Sequence, residues 1–519
     1  MQRRELIRAG AALAFLGGTS AGVSRAEVPT HLWEGYDFGS GPPVPDRLNQ
    51  GPFGSEQSDI WATIGSTSQS AAHIRNYGTG FVGYAWEEGG PALAVRRGQQ
   101  KLEDAVETLA ALPFNDVIYI RCDWRDVQSA PGKLDLAPVW QVSLDAARRH
   151  GQRIAFRVQM SNPKPVPPGY RALPDFLLEK VPMLPIGPYP RRGDQMFEPR
   201  YDHPEFIKAF RELNELLAAR FDSTDEVEFI DLMMYGWWGE GHTSGAGTPF
   251  NDYYTAEKTF VELTRIQLES FKRVPLAVNT QPDGNHVGNN EVLDRTVRAG
   301  GWLRSDSVIH DEPIQIERLS HRPPWLAVVL EQGWARTHAL DKIPVDAAGV
   351  SAKDKSMLHA LDMGANYWAL WTEGENLRLY RERFPQAFEA LEARMGHRVR
   401  PSWLWQRERW DRPELIIGFT NDGVAGVPGY LRVSVESRDG SYRASGCLDA
   451  GQPYGGKVRQ AQFVLPENMF GREVLIRGEI VTNGVARPYR WCCAQPLEKD
   501  GAYALQLKEK GKLVWGEVY

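Results

Sequence analysis

The chain has 519 residues, 42% of them hydrophobic and 24% charged, which is ordinary globular material and enough for two or three domains. Its formal net charge of -6 comes without a long basic run, so nucleic-acid binding has no electrostatic support. Tryptophan is frequent at 17 residues, and indoles near polar turns suit stacking on sugar faces as well as packing.

The first residues read as an address. Arg3, Arg4, Glu5, Leu6 and Ile7 precede an apolar run from Ala11 to Gly18, and Ser24-Arg25-Ala26 puts small residues where a signal peptidase reads. The pattern looks like a twin-arginine export signal, and the run is too short to span about 30 Å of hydrocarbon. Without residues 1–26 the chain keeps 56 basic and 65 acidic residues, a net charge of -9. A periplasmic or secreted protein with no membrane span in its mature form is expected. Of the four cysteines, Cys122 reads as a buried small residue, and a bond from Cys447 to Cys492 or Cys493 is the plausible disulfide.

Residues 27–79 are rich in Gly, Pro and Ser and read as an arm wrapping the main domain. From there apolar runs that suit buried strands start near Phe81, Val117, Ile154, Val227, Pro275, Leu303, Trp325 and Ala365, with helical patterns between them. Phe206, Phe210, Leu213 and Leu217 share one helical face behind a capping-box-like Asp202 and Glu205. Further helices are expected from about Asp252 to Lys272, Lys353 to Met363 and Tyr380 to Met395. Eight strands alternating with helices predict an α/β fold, a (β/α)8 TIM barrel over residues 80–398. A doubly wound sheet is the alternative, but no glycine-rich nucleotide loop follows the first strand. The span exceeds the roughly 250 residues of a minimal barrel. The excess sits between Ser161 and Arg200, where prolines such as Pro163, Pro165, Pro167, Pro168, Pro182, Pro185, Pro188 and Pro190 preclude a continuous helix; an insertion there follows the third strand and would wall one side of a cleft. After Arg400 short β-like runs separated by turns such as Asp439-Gly440 and Asn483-Gly484 predict an all-β sandwich over residues 399–519. Such a domain is a structural appendage or a carbohydrate-binding module.

Chemistry concentrates at the ends of these strands. The fourth runs from Val227 into Tyr235-Gly236-Trp237-Trp238-Gly239-Glu240-Gly241-His242-Thr243, and the seventh closes on Glu331. In a barrel the C-terminal strand ends converge on one face, so carboxylates 91 residues apart, Glu240 and Glu331, are expected to meet across a cleft. Two carboxyls are what glycosidic cleavage requires: one protonated to donate to the leaving oxygen, one ionised to attack the anomeric carbon. Among Trp237 and Trp238, Glu240 is expected to have a raised pKa, which suits the acid and leaves Glu331 as nucleophile. His242 stands ready to bond either carboxylate or a sugar hydroxyl.

This arrangement resembles the clan of retaining (β/α)8 glycoside hydrolases that includes the β-galactosidases, with an acid/base glutamate after strand four and a nucleophile glutamate after strand seven. The Gly-Trp-Trp-Gly-Glu-Gly-His stretch with a trailing β-sandwich looks like a bacterial barrel family of poorly defined function related to those enzymes. The clan usually has Asn immediately before the acid/base; here it is Gly239, so His242 or Asn279 is the candidate to replace that asparagine's contact to the sugar 2-hydroxyl.

Other strand ends supply candidate substrate-binding groups: Asp123 and Trp124, Arg157, Asn279, Asp306, Trp334, Trp371 and Glu373, in addition to Trp237, Trp238 and His242. Arg121 or Arg157 is expected to balance Asp123 inside the barrel. Glu373, which also follows a strand, rivals Glu331 as nucleophile. A metal site from Asp306, His310, Asp311 and Glu312 lacks a defined ligand spacing, and no metal or cofactor is expected. The resulting expectation is an exported glycoside hydrolase acting on a carbohydrate. Two alternatives stay open: a carbohydrate-binding barrel without catalysis, and a carbohydrate lyase using Tyr235, His242 and Arg304.

Overall fold

The computed structural model describes residues 60–87, 90–91, 95, 98–163, 171–189, 193–243, 247–280, 289–306, 319–332, 352–370, 372–448 and 458–511, all within one unit, Glu56–Tyr519. The expected export signal, and His310, Asp311, Glu312, Trp334 and Trp371, lie outside the described residues.

Eight parallel strands close into a barrel: β1 (Gly80–Glu87), β2 (Asn115–Asp123), β3 (Arg153–Gln159), β4 (Val227–Asp231), β5 (Leu276–Asn279), β6 (Trp302–Ser305), β7 (Val328–Glu331) and β8 (Tyr367–Ala369). Each pairs with the next, and β8 returns to β1 through Trp368 opposite Phe81. The fold is therefore the α/β barrel that the strand and helix rhythm predicts. The seventh strand begins at Val328, since Trp325 is exposed in the preceding turn.

Helices α1 (Leu102–Ala110), α2 (Pro138–His150), α3 (Pro204–Phe221), α4 (Tyr253–Ser270), α5 (Asn289–Arg298), α6 (Ala352–Asp362), α7 (Gly374–Arg383) and α8 (Pro385–Arg394) follow the strands. Helix α3 buries Phe206, Phe210, Leu213 and Leu217 as its periodicity requires. Its cap is His203, whose ring accepts the Glu205 amide, while the expected cap Asp202 pairs with Arg200. Asp252 caps α4 by accepting the Thr255 amide at 2.7 Å. The helix expected from Tyr380 to Met395 breaks at Phe384, because Pro385 lacks the amide that would continue it and instead opens α8 at its first turn.

The period of two along each strand sorts the barrel into layers. Outward residues such as Ile118, Phe156, Ile230, Val278 and Leu330 pack against the helices. Inward, Tyr119, Phe229, Trp302 and Tyr367 fill the centre with aromatic rings. Two residues further along the same strands the inward positions turn charged: Arg121 on β2, Arg157 on β3, Asp231 on β4, Arg304 on β6 and Glu331 on β7. The polar layer thus lies at the C-terminal mouth, on an aromatic floor.

The C-terminal part forms two antiparallel sheets. One orders Ile60–Ser66, Val399–Arg409, Arg412–Asn421 and Val458–Val464; the other is built on Tyr430–Ser437 and Glu473–Thr482. Ile60–Ser66 falls in the stretch read as an arm and is instead an edge strand pairing with Val399–Arg409. These sheets abut the N-terminal end of the barrel: Arg487 pairs with Asp225 just before β4 and stacks over Tyr77, whose hydroxyl donates to the Glu228 carbonyl. The sandwich closes the floor, on the end opposite the charged mouth. All four cysteines are free. Cys447 is exposed on the strand Arg443–Leu448 whereas Cys492 and Cys493 are buried, which removes the expected disulfide.

Candidate active site

Glu240 enters the mouth on a turn that the sequence forces locally. Gly236, Trp238, Gly239 and Gly241 all have positive φ. A Cβ at Gly236 would drive into the His242 carbonyl, and at Gly239, φ 70°, a Cβ would come within 3.2 Å of the Arg157 side chain. This accounts for glycine at 239: a left-handed residue is needed there, and a guanidinium stem runs past it. Asn279 at the end of β5 donates to the Glu240 carbonyl at 2.8 Å and so holds the turn from the other side.

Three arginines bind three carboxylates across the barrel. Arg157 reaches Asp231 at 2.7 Å, Glu240 at 2.5 Å and the Trp238 carbonyl at 3.1 Å. Arg304 contacts Asp231 at 3.0 Å, Glu240 at 3.1 Å, and Glu331. Arg121 bridges the two glutamates through one nitrogen, 3.2 Å from Glu240 Oε1 and 3.3 Å from Glu331 Oε2. Those two oxygens therefore lie no farther apart than the two distances together, about 6.5 Å. Tyr119 donates to Asp231 at 2.5 Å, and Tyr84 stands 3.5 Å from Glu331. All of these side chains are buried.

The electrostatics reverse one expectation. Burial alone pushes the Glu240 carboxyl up, but Arg121 and Arg157, the hydrogen bond from His242 and then Arg304 outweigh it, so Glu240 is held well below the usual carboxylate range. Desolvation by burial is the largest single influence, and it is only the arginines and His242 together that overcome it. Its neighbour behaves oppositely: Asp306, just beyond β6, has its carboxyl raised by desolvation and by the charge of Glu240. Glu240, His242 and Asp306 each bring one ligand-type atom within 4.8 Å of the others, with His242 Nε2 3.3 Å from Glu240 Oε2. The donor set suits a cation, but the guanidiniums already supply the positive charge that a metal would bring to Glu240.

Other candidates are redistributed. Trp124 is fully buried against Phe206 and Phe210 with its indole N–H donating to Gln128, and Trp237 is fully buried against Ile186, Met196 and Tyr189; both are core, not sugar platforms. Trp238 is partly exposed and sits edge-on to His242 at 5.5 Å. Asp123 accepts from Gln159 at 2.5 Å and from Asn162, so its expected pairing with Arg121 or Arg157 is replaced by amides. Glu373 occupies the N-cap position of α7, where Asn376 reaches it at 3.5 Å, and it is Glu331 that shares arginines with Glu240. Tyr235 packs edge-on against Phe250 and Phe260, outside the mouth. Asp231, Tyr119 and Tyr84 were not anticipated. Their signal was the step of two from Phe229 to Asp231 and from Tyr119 to Arg121, which keeps a polar residue on the inward face.

No protein-family model and no curated protein matches the chain. Among solved structures the chain is similar to the catalytic domain of β-amylase from Paenibacillus polymyxa, with 10% identity, 60% of this chain and 100% of that chain covered, and a TM-score of 0.37. Endo-glycoceramidase II from Rhodococcus sp. gives 13% identity, 76% and 98% coverage and a TM-score of 0.36. The β-galactosidase of Rahnella sp. R3 gives 9% identity, 64% and 59% coverage and a TM-score of 0.38. The structural neighbours are glycoside hydrolases. At such slight similarity the functional reading rests on this chain's own side chains. Fold and site together define a (β/α)8 barrel with a buried, arginine-bridged pair of glutamates at its C-terminal mouth.

Proposed function

We propose that this protein is an exported glycoside hydrolase that cleaves glycosidic bonds in an oligo- or polysaccharide with retention, Glu240 serving as acid/base and Glu331 as nucleophile. The observation that carries the reading is the shared guanidinium of Arg121, which limits the facing oxygens of the two glutamates to about 6.5 Å. That ceiling accommodates the roughly 5–5.5 Å between carboxyl groups that direct attack on the anomeric carbon needs.

The acid role requires a proton that Glu240 does not hold in the empty site. Asp306 is the group beside it whose carboxyl is raised, by desolvation and by the charge of Glu240 within 4.8 Å, and it is the source of that proton in this reading. Glu240 and Asp306 share a single proton, which passes from Asp306 to Glu240 and from Glu240 to the leaving oxygen, so that Glu240 is ionised when it takes the proton of the attacking water. Glu331, with guanidiniums of Arg121 and Arg304 against it, attacks as the carboxylate. Water activated by Glu240 then releases the sugar. Trp238 and His242 line the approach and are the residues to contact the sugar. The twin-arginine-type residues Arg3 and Arg4 support export, which cell fractionation of a tagged full-length protein tests.

A second reading, a carbohydrate-binding barrel without turnover, is favoured by the internal balance of three arginines against Asp231, Glu240 and Glu331. A panel of aryl glycosides and oligosaccharides separates the two. Hydrolysis that falls more than about a hundredfold in both Glu240→Gln and Glu331→Gln supports the enzyme. Saturable binding with no product supports the alternative.

A further inference from the structure

The carboxyl of Glu198 lies outside the mouth and has no part in the chemistry above. It ends the hairpin formed by Met183–Pro188 and Gln195–Pro199, within the proline-rich insertion, and is fully buried. One of its oxygens accepts the Ser161 hydroxyl and the other accepts the Tyr201 hydroxyl at 2.5 Å. Both partners continue to the same place. The Ser161 carbonyl accepts the Trp238 amide at 3.1 Å, and the Tyr201 oxygen accepts the Gly236 amide at 3.0 Å. The two amides flanking Trp237 thus hang from the two arms of one carboxyl. The hairpin also packs Ile186, Met196 and Tyr189 onto Trp237 and Trp238.

We propose that Glu198 is the positioning residue of the Glu240 loop, its carboxylate fixing, through Ser161 and Tyr201, the left-handed turn that carries Glu240 into the mouth. As a carboxylate it accepts from both hydroxyls, and each hydroxyl is oriented by that bond. As an acid it must donate through one oxygen, which turns one hydroxyl away and loosens the turn. Burial raises the carboxyl to about 7, against the lowering effect of the Ser161 and Tyr201 hydrogen bonds, so the exchange falls near neutral pH. The titratable groups facing it are Tyr201 and, behind that ring, Tyr235, and no described residue forms an ion pair with it. The inference concerns where Glu240 is held, so it stands whether the mouth hydrolyses or only binds.

Amide hydrogen exchange of peptides covering 235–243, measured on the full-length protein from pH 5.5 to 8.5 and corrected for intrinsic rates, tests it without a substrate. Protection is expected to rise about tenfold or more through pH 7 in the wild type. In Glu198→Gln, which mimics the uncharged form, it is expected to be low and flat with pH. Tyr201→Phe, which keeps the ring but drops one arm, should expose the Gly236 end of the segment. A wild-type profile flat with pH, or an unchanged step in Glu198→Gln, would overturn the proposal. If Glu198→Gln does not fold, full protection of the 235–243 segment in Tyr201→Phe has the same force.

Discussion

The arginine layer makes a quantitative prediction. In Arg157→Met the stem that passes Gly239 is kept while the guanidinium bound to Asp231, Glu240 and the Trp238 carbonyl is lost. Arg157 and both carboxylates are buried, so the change leaves buried charge without its partner, which typically costs about 3–5 kcal/mol. Arg304 and Arg121 still face the same anions, at 3.0 to 3.2 Å, which holds the cost toward the lower end of that range. Urea unfolding followed by tryptophan fluorescence and far-ultraviolet circular dichroism gives the stability, and a double-mutant cycle with Glu240→Gln isolates the pair. A coupling of about 1–3 kcal/mol is expected. As an internal standard, Arg211→Ala breaks a partly exposed pair with Glu262 at 3.4 Å and should cost no more than about 1 kcal/mol. If Arg157→Met and Glu240→Gln add within about 0.5 kcal/mol, or Arg157→Met costs no more than Arg211→Ala, the buried network is not the electrostatic unit described.

Three further outcomes follow from particular residues. His397 is buried with its ring nitrogen 3.0 Å from the Tyr77 carbonyl, and desolvation lowers it to about 4. The unfolded chain therefore binds an extra proton below pH 6.5, so stability present above pH 6.5 is lost as pH falls toward 4, by about 3 kcal/mol, and His397→Gln should flatten that slope in urea titrations at pH 4.5 and 7. Gly236→Ala forces a left-handed alanine against the His242 carbonyl and should cost more than about 1 kcal/mol while raising exchange in the 235–243 segment; wild-type exchange would mean that the turn tolerates a Cβ. With all four cysteines free and Cys447 exposed, a thiol reagent should titrate one group in the native protein and four after non-reducing denaturation, and fewer than four in the denatured state would reveal a disulfide.

Local patterning determined much of this protein. Alternation of apolar runs with helical periods located all eight barrel strands within a few residues, because a strand buried on both faces is apolar over most of its length, with its charged residues toward the ends. The turn chemistry of Asn483-Gly484 and the glycines around Trp237 likewise act over a few residues, so Gly-Trp-Trp-Gly-Glu could be read as a sharp exit from a strand. What the sequence left open depends on groups far apart along the chain. The ionisation of Glu240 is set by Arg121 and Arg157, 119 and 83 residues before it, and by Arg304, 64 residues after it, and a motif read alone shows only the tryptophans and His242. The burial of Trp124 and Trp237, the exposure of Cys447 and the suspension of the Glu240 loop from Glu198 are of the same kind. Each is a sum of short-range contacts that exist only once the ring of strands has closed, and only the tertiary structure could decide their signs.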